Sequence, residues 1–198
     1  MLLYPTFLPA LLAPVIVMII VVSSVSACAT TVLAPQALQY NRKGVELLKT
    51  DQLDAAEANL RLALEYHPHF IEARANLGIV MAERGHYAQA ETFLRDAIRL
   101  YEDFAEAWNS LGVVLHRQEK LDEAREAYTQ ALSINPGLRE PRYNLALVLM
   151  RQGDWRQARA HLLRLVQINP AFAYEHLLLR HCQRKMGINA SPRFNADS

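Results

Sequence analysis

The chain has 198 residues, enough for one ordinary domain with a hydrophobic core. Its formal net charge of +1 excludes a strong overall field for nucleic acid or a membrane surface, and its two cysteines exclude a disulfide framework. Only 7 glycines occur, whereas Ala, Leu, Glu and Arg are plentiful, which favours helix over strand. The charges are uneven, because residues 1–41 carry none, residues 42–138 have a net charge of −5 and residues 139–198 one of +6.

The first predicted element is an apolar leader over residues 7–22, followed by small residues. An apolar region before a run of small residues is typical of a secretory signal. The run contains Val25-Ser26-Ala27-Cys28, which resembles the lipobox of bacterial lipoproteins. In that family the cysteine becomes the new N-terminus and carries acyl chains such as palmitate.

The lipobox resemblance implies a signal peptide over residues 1–27, a lipidated Cys28 and a tether over residues 28–36. Because Ala29 is not Asp, it also implies the periplasmic side of the outer membrane, with the inner membrane as the alternative. Two other readings of the leader stay open. Ordinary signal peptidase would release the protein by cutting among the small residues, or the uncleaved segment would serve as a membrane anchor. Arg42 and Lys43 favour a cytoplasm-facing chain in the anchored case.

A 34-residue period follows the tether, with small residues at the eighth, twentieth and twenty-seventh positions and proline at the thirty-second. The four blocks are residues 37–70, 71–104, 105–138 and 139–172. In block order, these positions hold Gly44, Gly78, Gly112 and Ala146; Ala56, Ala90, Ala124 and Ala158; Ala63, Ala97, Ala131 and Leu165; and Pro68, Glu102, Pro136 and Pro170.

The period predicts two helices of about 14 residues in each block. Small residues allow the paired helices to approach closely, and proline stops the second helix. Glu102 replaces that proline in block two, so we expect its junction to bend differently. Aspartates near the turns, Asp51, Asp54 and Asp122, are expected to cap helix starts. One more helix over residues 173–187 is expected to cap the array, followed by a disordered tail over residues 188–198.

Block three carries the clearest signature and resembles the tetratricopeptide repeat (TPR) family. The residues on the family's signature positions are Trp108, Leu111, Gly112, Leu121, Ala124, Tyr128, Ala131 and Pro136. Arg74 and Arg142 depart from the pattern by replacing the aromatic residue at position four. The resemblance covers residues 37–172 and implies an all-α fold, a right-handed α-solenoid of four helix-turn-helix repeats plus the capping helix. It also implies that a concave groove lined by the first helices binds a peptide or helix.

We expect positions two, five, nine, twelve and thirteen of each first helix to face the groove, with apolar residues between an acidic rim and a rim that becomes basic towards the C-terminus. Asparagines at position six are either donors to a ligand backbone or ordinary surface residues. The candidate groove residues are Asn41, Val45, Asn76, Ile79, Asn109, Val113, His116, Arg117, Tyr143, Asn144, Leu147, Met150 and Arg151. Some family members clamp a C-terminal carboxylate with Lys at position five and Asn at position nine of the first repeat. Asn41 and Val45 stand there instead, so that chaperone-docking role is not predicted.

No catalytic or nucleotide-binding motif occurs in the sequence, so the protein is predicted not to be an enzyme and to need no cofactor or metal. Cys182 is predicted to be a core residue of the capping helix. The resulting hypothesis is a lipid-anchored scaffold in the bacterial envelope, with protein partners and neither nucleic acid nor a small-molecule substrate. Resemblance to TPR lipoproteins suggests assembly of an outer-membrane machine such as a type IV pilus secretin. The alternative is a cytoplasm-facing scaffold held by an uncleaved anchor.

Overall fold

The computed structural model describes residues 34–170 and 173–188, so Cys28 and residues 189–198 lie outside the described part. Regular structure in the described ranges is entirely helical, which confirms the all-α repeat prediction. The helices are α1 (Pro35–Lys49), α2 (Leu53–Tyr66), α3 (Ile71–Glu83), α4 (Tyr87–Leu100), α5 (Ala105–Arg117), α6 (Leu121–Ile134), α7 (Arg139–Arg151), α8 (Trp155–Ile168) and α9 (Ala173–Lys185). Each 34-residue block contains a first helix (α1, α3, α5, α7) and a second helix (α2, α4, α6, α8).

The turn between the two helices of a block uses a left-handed residue at position fifteen. The φ angles are 58° at Asp51, 78° at Gly85, 62° at Glu119 and 81° at Gly153. Gly187, which follows α9 at the same spacing, has a φ of 70°. Such angles favour glycine because it has no Cβ. The repeated turn shows that α9 is the first helix of a fifth block.

Small residues at position eight let the paired helices pack closely. A Cβ added to Gly78 would lie 2.7 Å from Cγ of Leu94, and one added to Gly112 would lie 2.6 Å from the ring of Tyr128. The alanines at position twenty are fully buried; they are Ala56, Ala90, Ala124 and Ala158. The predicted close contact between paired helices is therefore present.

The side chain at position four of a first helix forms a hydrogen bond with the backbone carbonyl of the residue at position thirty-two in the preceding block. The pairs are Arg74 with Pro68 at 2.6 Å, Trp108 with Glu102 at 2.8 Å, His176 with Pro170 at 3.0 Å, and Arg142 with Pro136. These side chains have different shapes but all present a nitrogen to the carbonyl oxygen. The requirement at position four is therefore a hydrogen-bonding nitrogen, which explains why arginine replaces the aromatic residue.

The expectation that the junction at Glu102 bends differently is wrong. Tyr101, which ends α4, has φ −150° and ψ 99°, close to the −131° and 92° of Asn135 at the end of α6. The amide of Tyr101 donates to the carbonyl of Ala97 at 3.1 Å, as Asn135 does to Ala131 at 3.0 Å. The extended residue ends the helix before position thirty-two is reached, so proline is not needed there.

The expectation that the aspartates cap helices is also wrong. Asp54 and Asp122 lie in the first turn of a second helix and bind the end of the next first helix. Arg84 lies 2.6 Å from Oδ1 of Asp54, and the amide of Gln152 donates to Asp122 at 2.7 Å. These bonds connect successive repeats.

The first helices α1, α3, α5 and α7 contact one another in succession, whereas no pair of consecutive second helices among those described makes comparable contact. The stack therefore curves with its first helices on the inner side. Within the described ranges, none of the helices has the length and apolar character that a membrane crossing needs.

Candidate functional site

The inner face carries a strip of apolar side chains at position nine of the first helices. Val45, Ile79, Val113 and Leu147 occupy this position, and each is partly exposed. Met150, one turn beyond Leu147 along α7, is also partly exposed. Since consecutive first helices are in contact, these side chains form a continuous apolar strip across four repeats.

Amide side chains lie beside the strip. Asn76 donates from Nδ2 to Oδ1 of Asn41 at 3.0 Å, which links α1 to α3. Oδ1 of Asn109 is buried and accepts no hydrogen bond from the residues the structure describes. Asn144 on α7 is partly exposed. An amide offers both a donor and an acceptor, so the atoms of these side chains that are neither paired nor buried can bind the backbone of an extended segment.

The predicted basic rim is only partly available. Arg151 forms an ion pair with Glu119, with 3.2 Å between Nη1 and Oε1, so it is not a free cation for a ligand. Arg117 is exposed and has no ion-pair partner among the described residues. Burial, then the charges on Arg151 and Arg117, lower the pKa of His116 despite the opposing effect of Glu119. His116 therefore favours its neutral form at this rim.

The opposite rim is acidic. Glu72, Glu106 and Glu140 stand at position two of α3, α5 and α7, and all three are exposed. Leu38 holds the same position on α1 and is 45% exposed. The strip therefore lies between an acidic rim and a rim that is basic towards the C-terminus but holds Glu83 on α3.

Two exposed residues that sequence reasoning missed lie on α9 and extend the apolar part of the inner face beyond the strip. Tyr174 and Leu177 occupy positions two and five of the fifth block and are 58% and 53% exposed. The ring centroids of Tyr174 and Tyr143 are 6.4 Å apart, which joins this extension to α7. The available signal was the 34-residue register, which places both residues on the groove face once α9 is counted as a first helix.

His176, His181 and Cys182 on α9 have structural surroundings. His176 binds the carbonyl of Pro170, and His181 packs edge-on against Trp155 with 5.7 Å between ring centroids. Cys182 is fully buried, as predicted, and burial raises the pKa of its thiol. The described residues include no group of three or more His, Cys, Asp or Glu side chains that could hold a metal ion.

Two models of the tetratricopeptide repeat match the chain, one over residues 41–103 and 82–138 and the other over residues 115–180. The chain belongs to the tetratricopeptide repeat family. Proteins of this family are typically scaffolds without enzymatic activity, and neither matching model describes a catalytic family. A comparison with curated protein sequences finds no match.

Several solved structures share the fold. PilF of Pseudomonas aeruginosa has a TM-score of 0.71 and 23% identity, with 77% of this chain and 69% of PilF covered. MamA has a TM-score of 0.67 and 21% identity, with 77% of this chain and 84% of MamA covered. YrrB, described as a TPR protein with an unusual peptide-binding site, has a TM-score of 0.65 and 20% identity, with 78% and 79% covered. At these identities the likeness concerns the fold.

Proposed function

We propose that the protein is a scaffold that binds a segment of a partner protein along the strip of its inner face. The observation that carries this proposal is the apolar strip on four first helices, together with Tyr174 and Leu177 on α9, which are more than half exposed. Exposed apolar side chains in a row along a concave face are typical of peptide-binding helical repeats. The fold similarity to YrrB, a protein with a peptide-binding site, supports the same interpretation.

The charges beside the strip suggest the chemistry of the bound segment. Glu72, Glu106 and Glu140 line one side, and the exposed Arg117, Arg184 and Lys185 contribute to the other. An extended or helical segment with apolar residues and one acidic side complements this arrangement. The protein acts by holding such a segment and not by chemical catalysis.

Capture of partners from a membrane extract tests the binding face. The variant Arg117→Glu with Leu177→Glu changes two exposed residues of the inner face, and we expect it to lose most of the captured protein. The matched control, Arg156→Glu with Leu62→Glu, changes one exposed arginine and one exposed leucine on second helices. Equal capture by both variants, with unchanged thermal melts, would place the binding site elsewhere.

We also propose that lipid on Cys28 holds the scaffold in the bacterial envelope, on the periplasmic side of the outer membrane. The support is the apolar leader that ends in Val25-Ser26-Ala27-Cys28. Two or more acyl chains give stable anchoring, whereas one chain gives only marginal affinity. Assembly of an outer-membrane machine, such as a type IV pilus secretin, is the role proposed for this location.

Metabolic labelling with a fatty-acid probe tests the anchor. We expect label on the wild-type chain and on Cys182→Ala, and none on Cys28→Ala. Label that survives Cys28→Ala would contradict lipidation at Cys28. Arg42 and Lys43 favour the alternative of an uncleaved anchor with the repeats in the cytoplasm. Protease added to intact spheroplasts separates the two locations, because only a periplasmic repeat domain is digested.

A further inference from the structure

A second candidate site lies on the side of the second helices. The cleft between α6 and α8 passes over α7 and has a volume of about 1020 Å³. Leu145 and Leu149 of α7 contribute apolar surface, and Trp108 lies at one end. Arg142, His161 and Arg164 are among the residues that line the cleft; the groove and its apolar strip are formed by other residues.

The same three positions differ in charge between repeats. Positions four, twenty-three and twenty-six hold Arg142, His161 and Arg164 in the fourth repeat. The second repeat has Arg74, Phe93 and Asp96 there, the third Trp108, Ala127 and Gln130, and the first Tyr40, Asn59 and Leu62. Nη1 of Arg74 lies 3.9 Å from Oδ2 of Asp96, so the second repeat supplies a carboxylate at position twenty-six. The fourth repeat has a second arginine at that position.

Arg142 is a buried cation without a counter-ion. It is 8% exposed and donates from Nη2 to the carbonyl of Pro136, while its Nε is buried and has no partner. Nε of Arg74 also lacks a partner, but Arg74 has the nearby carboxylate of Asp96. No carboxylate of a described residue forms an ion pair with Arg142 or Arg164. A buried charge without a partner is unfavourable, so this site favours an added anion.

The electrostatics agree with this geometry. Burial, and then the charge on Arg142, lowers the pKa of His161. Burial, and then the charge on Arg164, lowers the pKa of Arg142. Arg142 therefore disfavours the protonated form of His161, and the charge on Arg164 disfavours that of Arg142, so an anion between them would relieve this repulsion.

The other charged side chains of the cleft do not neutralise Arg142, His161 and Arg164. Arg125 adds a fourth basic residue, and Asp122 and Glu126 are the acidic ones. Asp122 accepts a hydrogen bond from Gln152 at 2.7 Å. Neither acidic side chain forms an ion pair with an arginine of the cleft within the described part of the chain.

We propose that this cleft binds an oxyanion, a carboxylate or a phosphate, held by Arg142, His161 and Arg164. Guanidinium groups bind both anions through paired hydrogen bonds, and protonated imidazole adds a charge-assisted donor. The apolar surface of Leu145 and Leu149 leaves room for the group that carries the anion. The site is separate from the groove, so its failure would leave the proposed groove function untouched.

Histidine NMR of the full chain in a non-ionic detergent tests the proposal. His161 is assigned with His161→Gln and titrated at constant ionic strength, with chloride replaced by sodium phosphate in one series and sodium acetate in another. We expect a saturable shift of the His161 resonances and a rise in its pKa, since a bound anion favours the protonated ring. Saturation with phosphate alone identifies a phosphate site, with acetate alone a carboxylate site, and with both a general oxyanion site. No saturable shift with either anion would overturn the proposal.

Variants at position twenty-six separate binding from general screening. We expect Arg164→Gln to lower the affinity for the bound anion by about tenfold or more, because a charge-assisted hydrogen bond is lost. Arg164→Asp, which introduces the acidic residue of the second repeat, should abolish binding. Arg156→Gln, at an exposed arginine of the same helix outside the cleft, is the control and should bind normally. Equal affinities in wild type, Arg164→Gln and Arg156→Gln would contradict the assigned site even if the histidine shifts.

Discussion

The second and fourth repeats have the same framework and opposite electrostatics. Arg74 and Arg142 both donate to the carbonyl of position thirty-two in the preceding repeat. Beyond that shared bond, Arg74 has Asp96 as its partner, whereas Arg142 has Arg164 at the equivalent position. The 34-residue pattern therefore determines which side chains pack and hydrogen-bond, and leaves position twenty-six free to vary in charge. A change of charge at such a position can give one repeat a binding site that its neighbours lack.

Packing is expected to be equally strict in both repeats. Ala90 and Ala158 are fully buried at position twenty, where the paired helices meet. Substitution of either by leucine should cost about 1–3 kcal/mol of unfolding free energy, because the larger side chain forces the helices apart. Thermal or chemical denaturation of the full chain measures the loss. A loss in one repeat and none in the other would show that the two frameworks are not equivalent.

Charge reversal at position twenty-six should act in opposite directions. Asp96→Arg replaces the carboxylate beside Arg74 and Arg99 with a cation and should destabilise the second repeat by about 1 kcal/mol or less, since these pairs are partly exposed. Arg164→Asp gives Arg142 a carboxylate and should raise the melting temperature in chloride buffer. Asp96→Asn is the control that removes the carboxylate without adding a positive charge. Destabilisation by both reversals would mean that Arg142 does not lack a counter-ion.

The smallest expected effect is a change in pH dependence. Burial and Arg142 lower the pKa of His161 below its ordinary 6.5, so the unfolded chain takes up this proton at a higher pH than the folded chain. The contribution of neutral His161 to stability is therefore complete above pH 6.5 and is lost as the pH falls from 6.5 through the folded-state pKa. His161→Phe, the residue of the second repeat, should reduce the fall in melting temperature on acidification. His69→Phe, at an exposed histidine, is the control, and an equal pH slope in wild type and His161→Phe would contradict the assignment.

The sequence predicted the parts of the fold that depend on spacing. The small residues at positions eight and twenty recur every 34 residues, and each makes the helix contact that its size implies. Prediction from the sequence failed where the backbone conformation, and not proline, ends a helix. At the Glu102 junction the extended residue Tyr101 already ends α4. Prediction also failed where a side chain pairs with a residue far away in the sequence, as Asp54 does with Arg84.

The candidate groove was predictable in outline, because helical spacing decides which face of a first helix is inward. The pairing of Arg151 with Glu119 was not, because the two residues are 32 positions apart and lie in neighbouring repeats. Tyr174 and Leu177 are not among the predicted groove residues because the sequence predicts a capping helix there, whereas the structure has a first helix. The cleft between α6 and α8 was missed because Arg142, His161 and Arg164 come from two helices and become adjacent only in the folded chain.

Site-specific photo-crosslinking in cells tests whether the inner face binds a segment of a partner protein. A photoreactive phenylalanine derivative is placed at Tyr174 on the inner face or at Ile168 on the second helix α8, residues that are 58% and 59% exposed. We expect a discrete adduct with another protein from position 174 and none from position 168. Adducts of equal yield from both positions, or an adduct from position 168 alone, would contradict it.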